Sequence, residues 1–94
     1  DIHFEHWIPQ SIGGDSSIRN CYPLDGTLNI QKGNRNPLTF FRREDIRAKI
    51  DSERFEELVF WLAVINDMTV EEFEDYTNRK YEELYRLTYC TNDD

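Results

Sequence analysis

The hydrophobic pattern changes character near the middle of the chain. Over Ile2–Ile8 apolar and polar residues alternate imperfectly and stop at Pro9, which predicts a strand running into a loop. Gly13-Gly14-Asp15-Ser16-Ser17 is turn chemistry, and Cys21–Leu24 predicts a second short strand. Asp25-Gly26 reads as another turn, with Thr27 as a possible cap of a short helix over Leu28–Gly33. Beyond Asn34–Pro37 the period becomes helical. Arg42–Lys49 predicts one short helix, and Asp51 or Ser52 can cap a longer one reaching about Asn66. Its Leu58–Ile65 stretch is apolar nearly all round, which predicts burial on more than one side. Thr69-x-x-Glu72 forms a capping box ahead of a last helix. There Val70, Phe73, Tyr76 or Thr77, Tyr81, Leu84 and Leu87 make one stripe, opposite Glu71, Glu74, Asp75, Glu82 and Glu83. The last two helices are expected to pack as a hairpin.

Ninety-four residues bound this to one domain, or one domain with a helical appendage. Thirteen aromatic residues compensate for small size, and Phe40, Phe41, Phe60 and Trp61 offer area that neither half could bury alone. The longest apolar run, Leu58–Ile65, is too short to span a bilayer, and no secretory pattern is visible. The chain starts at Asp1, so it is expected to be cut from a longer protein. Two cysteines, Cys21 and Cys90, form no Cys-x-x-Cys pair, which excludes a zinc ribbon. A disulfide between them stays open beside the expectation of reduced thiols in an intracellular protein.

The net charge of -8 argues at first against nucleic acid, but it is unevenly spread. Residues 1–50 hold seven Lys/Arg against six Asp/Glu, while residues 51–94 hold four against thirteen. The acidity belongs to the second half. The first half is locally basic over Lys32–Lys49, where phosphate could be met.

The chemistry is concentrated in Glu5-His6-Trp7-Ile8-Pro9-Gln10-Ser11-Ile12-Gly13-Gly14, then Asn20, then Asn29-Ile30-Gln31-Lys32-Gly33. Asn20 lies fourteen residues after His6, and Asn29 nine after Asn20. This stretch resembles the HNH nuclease family, whose fold is the ββα-metal unit. The family pattern is an acidic residue and His, then x-x-Pro-x-Ser and often Gly-Gly, a middle Asn, and a His or Asn in a helix with a nearby Lys. The resemblance covers about Ile2–Pro37, some two-fifths of the chain. It implies an α+β fold: an HNH unit over residues 1–40, part of it lying upstream of this sequence, and a helical extension over 41–94 packed on it.

The resemblance also implies roles. His6 would be the general base, since an imidazole with an ordinary pKa near ~6.5 accepts a proton at neutral pH. Glu5 and Asn29 would be oxygen ligands to Mg²⁺ or Mn²⁺. Asn20 would brace the loop and orient the base. Lys32 and Arg35 could touch phosphate. For Arg42, Arg43 and Arg47 phosphate binding and a solvated face are both open. His3 could be a further contact, although a structural histidine is the favoured reading. Successive strand residues face opposite ways, so Glu5 and His6 share a site only at an irregular strand end.

Two departures from the family matter. The Cys-x-x-Cys pairs of many HNH proteins are missing between Asn20 and Asn29, so no structural zinc is expected and packing must hold the unit. Glu stands where Asp is common, moving the carboxylate by about 1.5 Å. Glu-His-x-x-Pro-Gln also occurs in HNH domains attached to restriction-type proteins. The expected function is metal-dependent phosphodiester cleavage, on DNA rather than RNA, within a parent whose other domains choose the target. The rivals are a degenerate HNH domain that binds without cutting, and an acidic helical module that docks a basic partner.

Overall fold

A computed structural model describes residues 1–90, and the side chains of residues 1–87. It is an α+β domain. Strands β1 (Ile2–His6) and β2 (Cys21–Asp25) form an antiparallel two-stranded sheet, followed by α1 (Gly26–Lys32), α2 (Pro37–Phe41), α3 (Glu44–Arg47), α4 (Ser52–Ile65) and α5 (Val70–Cys90). Among the described residues no helix is long and apolar enough to cross a membrane. The Cys21–Cys90 pairing question falls on a side chain outside the described residues.

The sheet register sets the geometry of everything that follows. His3 lies opposite Leu24, Glu5 opposite Tyr22 and His6 opposite Cys21. Directly opposed residues share a face. His3, Glu5, Tyr22 and Leu24 therefore face one way, toward α1, and Tyr22 and Leu24 are buried there. Ile2, Phe4 and His6 face the other way, where Ile2 and Phe4 are largely exposed.

The loop between the strands begins with a 3-10 turn at Gln10–Ile12 and is closed by its two glycines. Gly13 caps the turn at φ 100°, a left-handed conformation that suits glycine. Gly14 is required by space instead: a Cβ there would lie 1.8 Å from the Ile8 carbonyl oxygen.

Several predicted boundaries move. Asp25, not Thr27, caps α1: its carboxylate accepts from the backbone N–H groups of Thr27 and Leu28. Gly26 is thereby drawn from a turn into the first helical position, its own N–H bonding to the Asp1 carbonyl. The short helix expected over Arg42–Lys49 is α3, and α2 is an additional helix ahead of it. Asn36 accepts from the Leu38 N–H, and Pro37 starts α2 early because its missing N–H costs nothing there. Arg42 ends α2, and α3 starts afresh at Glu44. Asp51 caps α4, and the Thr69–Glu72 box closes reciprocally at 2.9 and 3.1 Å.

One core joins both halves of the chain. Trp7 sits in its middle, ringed by Tyr22, Phe55 and Phe73 at centroid distances of 5.6, 6.1 and 5.6 Å. Phe40 and Phe41 are buried in the same cluster, so a division at residue 40 falls inside α2 and cuts through the core. Phe60 and Trp61 correct the expectation of all-round burial, being 59% and 53% exposed. The inward face of α4 is Phe55, Val59, Leu62 and Ala63. At about 100° per residue Phe60, Trp61 and Val64 fall on the outward side.

Candidate functional site

The covered face of β1 meets one face of α1. His3 and Glu5 stand two residues apart on the strand, and Asn29 and Lys32 three apart on the helix, spacings that align side chains in each element. The Asn29 amide nitrogen lies 3.3 Å from His3 Nδ1. The Lys32 ammonium lies 3.4 Å from Glu5 Oε2. Glu5 Oε1 accepts the backbone N–H of His6 at 2.9 Å, so both carboxylate oxygens are engaged. The structure thus pairs Glu5 with Lys32 and Asn29 with His3, for which the sequence favoured a structural histidine over a further contact. The signal for His3 was the strand period itself, which puts residue 3 on the face of residue 5.

Lys32 is 2% exposed. Burial draws its ammonium below the usual lysine range, while the charge and hydrogen bonding of Glu5 act the other way. The Tyr22 hydroxyl is the one buried side-chain polar atom without a hydrogen-bond partner among the described residues. Desolvation, then the charge of Glu5, pushes that phenol well above the ordinary tyrosine range. Tyr81 shifts up for the same two reasons, in the same order.

His6 lies on the opposite strand face. The ladder stays regular through the His6–Cys21 pair, so the irregular end that would join His6 to Glu5 begins one residue later than the sequence reading required. The His6 ring Nε2 is 3.1 Å from Ser16 Oγ, which also accepts from Gln10 Nε2 at 2.9 Å. Neither Ser16 nor Gln10 was legible as a histidine partner, because a turn serine carries no periodic signal. Asp15, beside them, is held below the usual carboxylate range by the Ser17 hydroxyl and N–H, with smaller help from Arg19 and His6. Burial raises the Cys21 thiol, and Asp15 and Glu5 add to the effect.

Asn20 is buried and spans the loop. Its Oδ1 accepts the Ile8 N–H at 2.8 Å, and its Nδ2 donates to the carbonyls of Ile8 and Asp15, each at 2.8 Å. Its own carbonyl accepts the Trp7 N–H at 2.7 Å. The backbone just beyond His6 is therefore pinned on one side by Asn20. Helix α5 pins it on the other. Trp7 Nε1 donates to Thr77 Oγ1 at 2.9 Å, and the Tyr81 hydroxyl donates to the Trp7 carbonyl at 2.6 Å.

The other cations proposed for phosphate have partners within the chain. Arg35 donates to the Gln31 and Lys32 carbonyls from an exposed position. Arg42 is shared between Glu56 and Glu74, with contacts of 2.7–3.2 Å. Arg43 pairs with Asp45 at 2.8 Å and lies over the Phe40 ring. Arg35 and Arg43 remain on the surface, whereas Lys32 is enclosed.

No group of three or more His, Cys, Asp or Glu with metal-binding geometry occurs among the described residues. The donors at the β1–α1 junction are instead one carboxylate, one amide oxygen and one imidazole. That set fits a hard, largely hydrated divalent ion, which takes one or two protein oxygens and keeps its waters. It does not fit a structural zinc, which wants four protein ligands. No family model matches the chain, and no curated protein or solved structure matches it.

Proposed function

We propose that this chain is a metal-dependent nuclease domain of the ββα-metal type that hydrolyses phosphodiesters, DNA being the substrate class. The observation that carries the reading is the meeting of β1 with α1, where Glu5 pairs with Lys32 and His3 with Asn29, one residue from His6. Residue types, spacing and element order together support it.

In this reading Glu5 and Asn29 hold a Mg²⁺ or Mn²⁺ ion through oxygen. Such an ion, when bound, supplies positive charge to the phosphorane and the leaving oxygen. The chain's own residues do the rest. His6 accepts the proton of the attacking water. Asn20 and Tyr81 hold the backbone that follows His6 and Thr77 holds the Trp7 ring, which limits the imidazole's freedom. His6 and Glu5 lie on opposite faces of β1, so a phosphodiester would have to approach along the strand to meet both. Arg35 and Arg43 contribute positive charge on the surface.

A second reading has its own observation. The Glu5 carboxylate is already neutralised by Lys32, and His6 faces away from it, which favours a domain that binds nucleic acid without cutting it. Plasmid nicking separates the two. Wild type is expected to nick with Mg²⁺ or Mn²⁺, and His6→Ala to lose about 10²–10⁴-fold in rate while keeping its melting temperature. A wild type that never nicks with any divalent ion but binds DNA in a salt-dependent way establishes the second reading. If it binds no DNA at all, the acidic helical module remains.

A further inference from the structure

Lysine is seldom enclosed, because its ammonium loses hydration that a single partner replaces poorly. Lys32 is enclosed, at 2% exposure, and its position is informative. Its short contact is with the Gly33 carbonyl at 3.0 Å, while Glu5 Oε2 stands off at 3.4 Å. A tight charge-assisted pair would close to about 2.7–2.9 Å. The ammonium is thus held near the carboxylate but not locked to it. Its other partner belongs to an exposed residue: Gly33 ends α1, and nothing lies within 4 Å of where its side chain would be. The ammonium is thus carried on a flexible four-carbon stem and bonded at the exposed end of the helix, next to a position with open space around it.

Glu5 itself is only 22% exposed in its side chain, so its charge needs a nearby cation whether or not a metal is present. Asn29 stands one turn before Lys32 on the same helix face. We propose that Lys32 is the resident counter-ion of this site. Its ammonium neutralises Glu5 in the metal-free protein, yields Oε2 when a divalent ion binds, and turns outward to meet the substrate phosphate. This rests on the metal reading given above. It makes the protein ready for metal by exchange of one cation for another, so that the half-buried carboxylate is never left uncompensated. It also couples metal loading to phosphate affinity, since the released charge becomes available to the nucleic acid.

Two measurements test it. Calorimetric titration of Mn²⁺ is expected to show tighter binding by Lys32→Met than by wild type, by at least about tenfold, because a competing charge has gone. Glu5→Gln is expected to bind no Mn²⁺. Brief acetylation of wild type, read by mass spectrometry, is expected to modify Lys32 several-fold more with Mg²⁺ than with sodium at equal ionic strength. Lys49, which is exposed throughout, serves as the internal control. If wild type binds Mn²⁺ while Lys32→Met binds equally or more weakly, Lys32 supports the ion and the exchange is refuted, with the metal reading intact. If wild type binds no Mn²⁺, both fall. Should Lys32→Met fail to fold, acetylation decides, and labelling of Lys32 that ignores Mg²⁺ overturns the proposal.

Discussion

At the scale of single residues, the loop after β1 depends on the absence of one side chain. Gly14 lies against Ile8 and Asn20, the two residues whose hydrogen bonds close the loop. A methyl at position 14 would meet the Ile8 carbonyl at 1.8 Å and the Asn20 amide at 2.7 Å, neither of which can yield without breaking that closure. Gly14→Ala is therefore expected to lower stability by about 1–3 kcal/mol, the range for orphaning a buried polar group or overpacking a filled site. Urea unfolding measures it. An unchanged midpoint would mean that the loop has an alternative closure. Gly13→Ala should cost less, since only its left-handed φ opposes the change and its nearest neighbour is 3.9 Å away.

At the scale of elements, α5 acts on the site through Trp7. The helix is 21 residues long and amphipathic, and it directs Phe73, Thr77 and Tyr81 into the core along one stripe. Two of these three bond to Trp7, the residue directly after His6. Tyr81→Phe removes the hydroxyl that satisfies the Trp7 carbonyl but keeps the ring. It is expected to cost about 1–2 kcal/mol in stability and to lower nicking more than DNA binding. Comparing nicking rate with DNA affinity in the same preparation checks this. Equal losses in both would mean that Tyr81 only supports the fold. Helix α4 meets the core with one face. The apolar run Leu58–Ile65 hid that, because hydrophobicity alone marks no side as inward.

At the scale of the whole molecule, the halves share one core and one ionic clamp. Trp7 from the first half packs on Phe55 and Phe73 from the second, so the domain is expected to unfold in a single transition. Phe73→Ala should lower stability by about 3–5 kcal/mol and abolish DNA nicking with it. Trp61→Ala, at a half-exposed position, should change stability by less than about 1 kcal/mol. Calorimetry on both variants checks the pair, and two separate transitions in wild type would contradict it. The clamp adds a pH dependence. Arg42 hydrogen-bonds Glu56 and holds its carboxyl below the usual range. The folded state therefore binds a proton there less readily than the unfolded chain, so stability rises with pH across the titration. The contribution is complete above the ordinary glutamate range and is lost as pH falls below that range through the lower folded value. Glu56→Gln should flatten the fall in melting temperature over that window. An equal slope in the variant would place the acid sensitivity elsewhere.

What the sequence determined by itself was local and periodic. The two strands, the capping box at Thr69–Glu72, the cap at Asp51 and the last helix follow from residues that act within a few positions of one another. The placing of residues 3 and 5 on one strand face followed from a period of two. The sequence also carried the residues on which the nuclease proposal rests, because their types and spacings were set along the chain. What the tertiary structure decided depends on partners far away in sequence. Trp61 is outward and Trp7 central because Tyr22, Phe55 and Phe73 converge on residue 7. Lys32 is enclosed because β1 passes over α1, and Arg42 is engaged because α4 and α5 both present glutamates to it. A charge written as basic along the chain becomes a surface charge or a buried counter-ion only when distant elements cover it or leave it open. That choice belongs to packing, whose contacts have no fixed spacing for a sequence pattern to reveal.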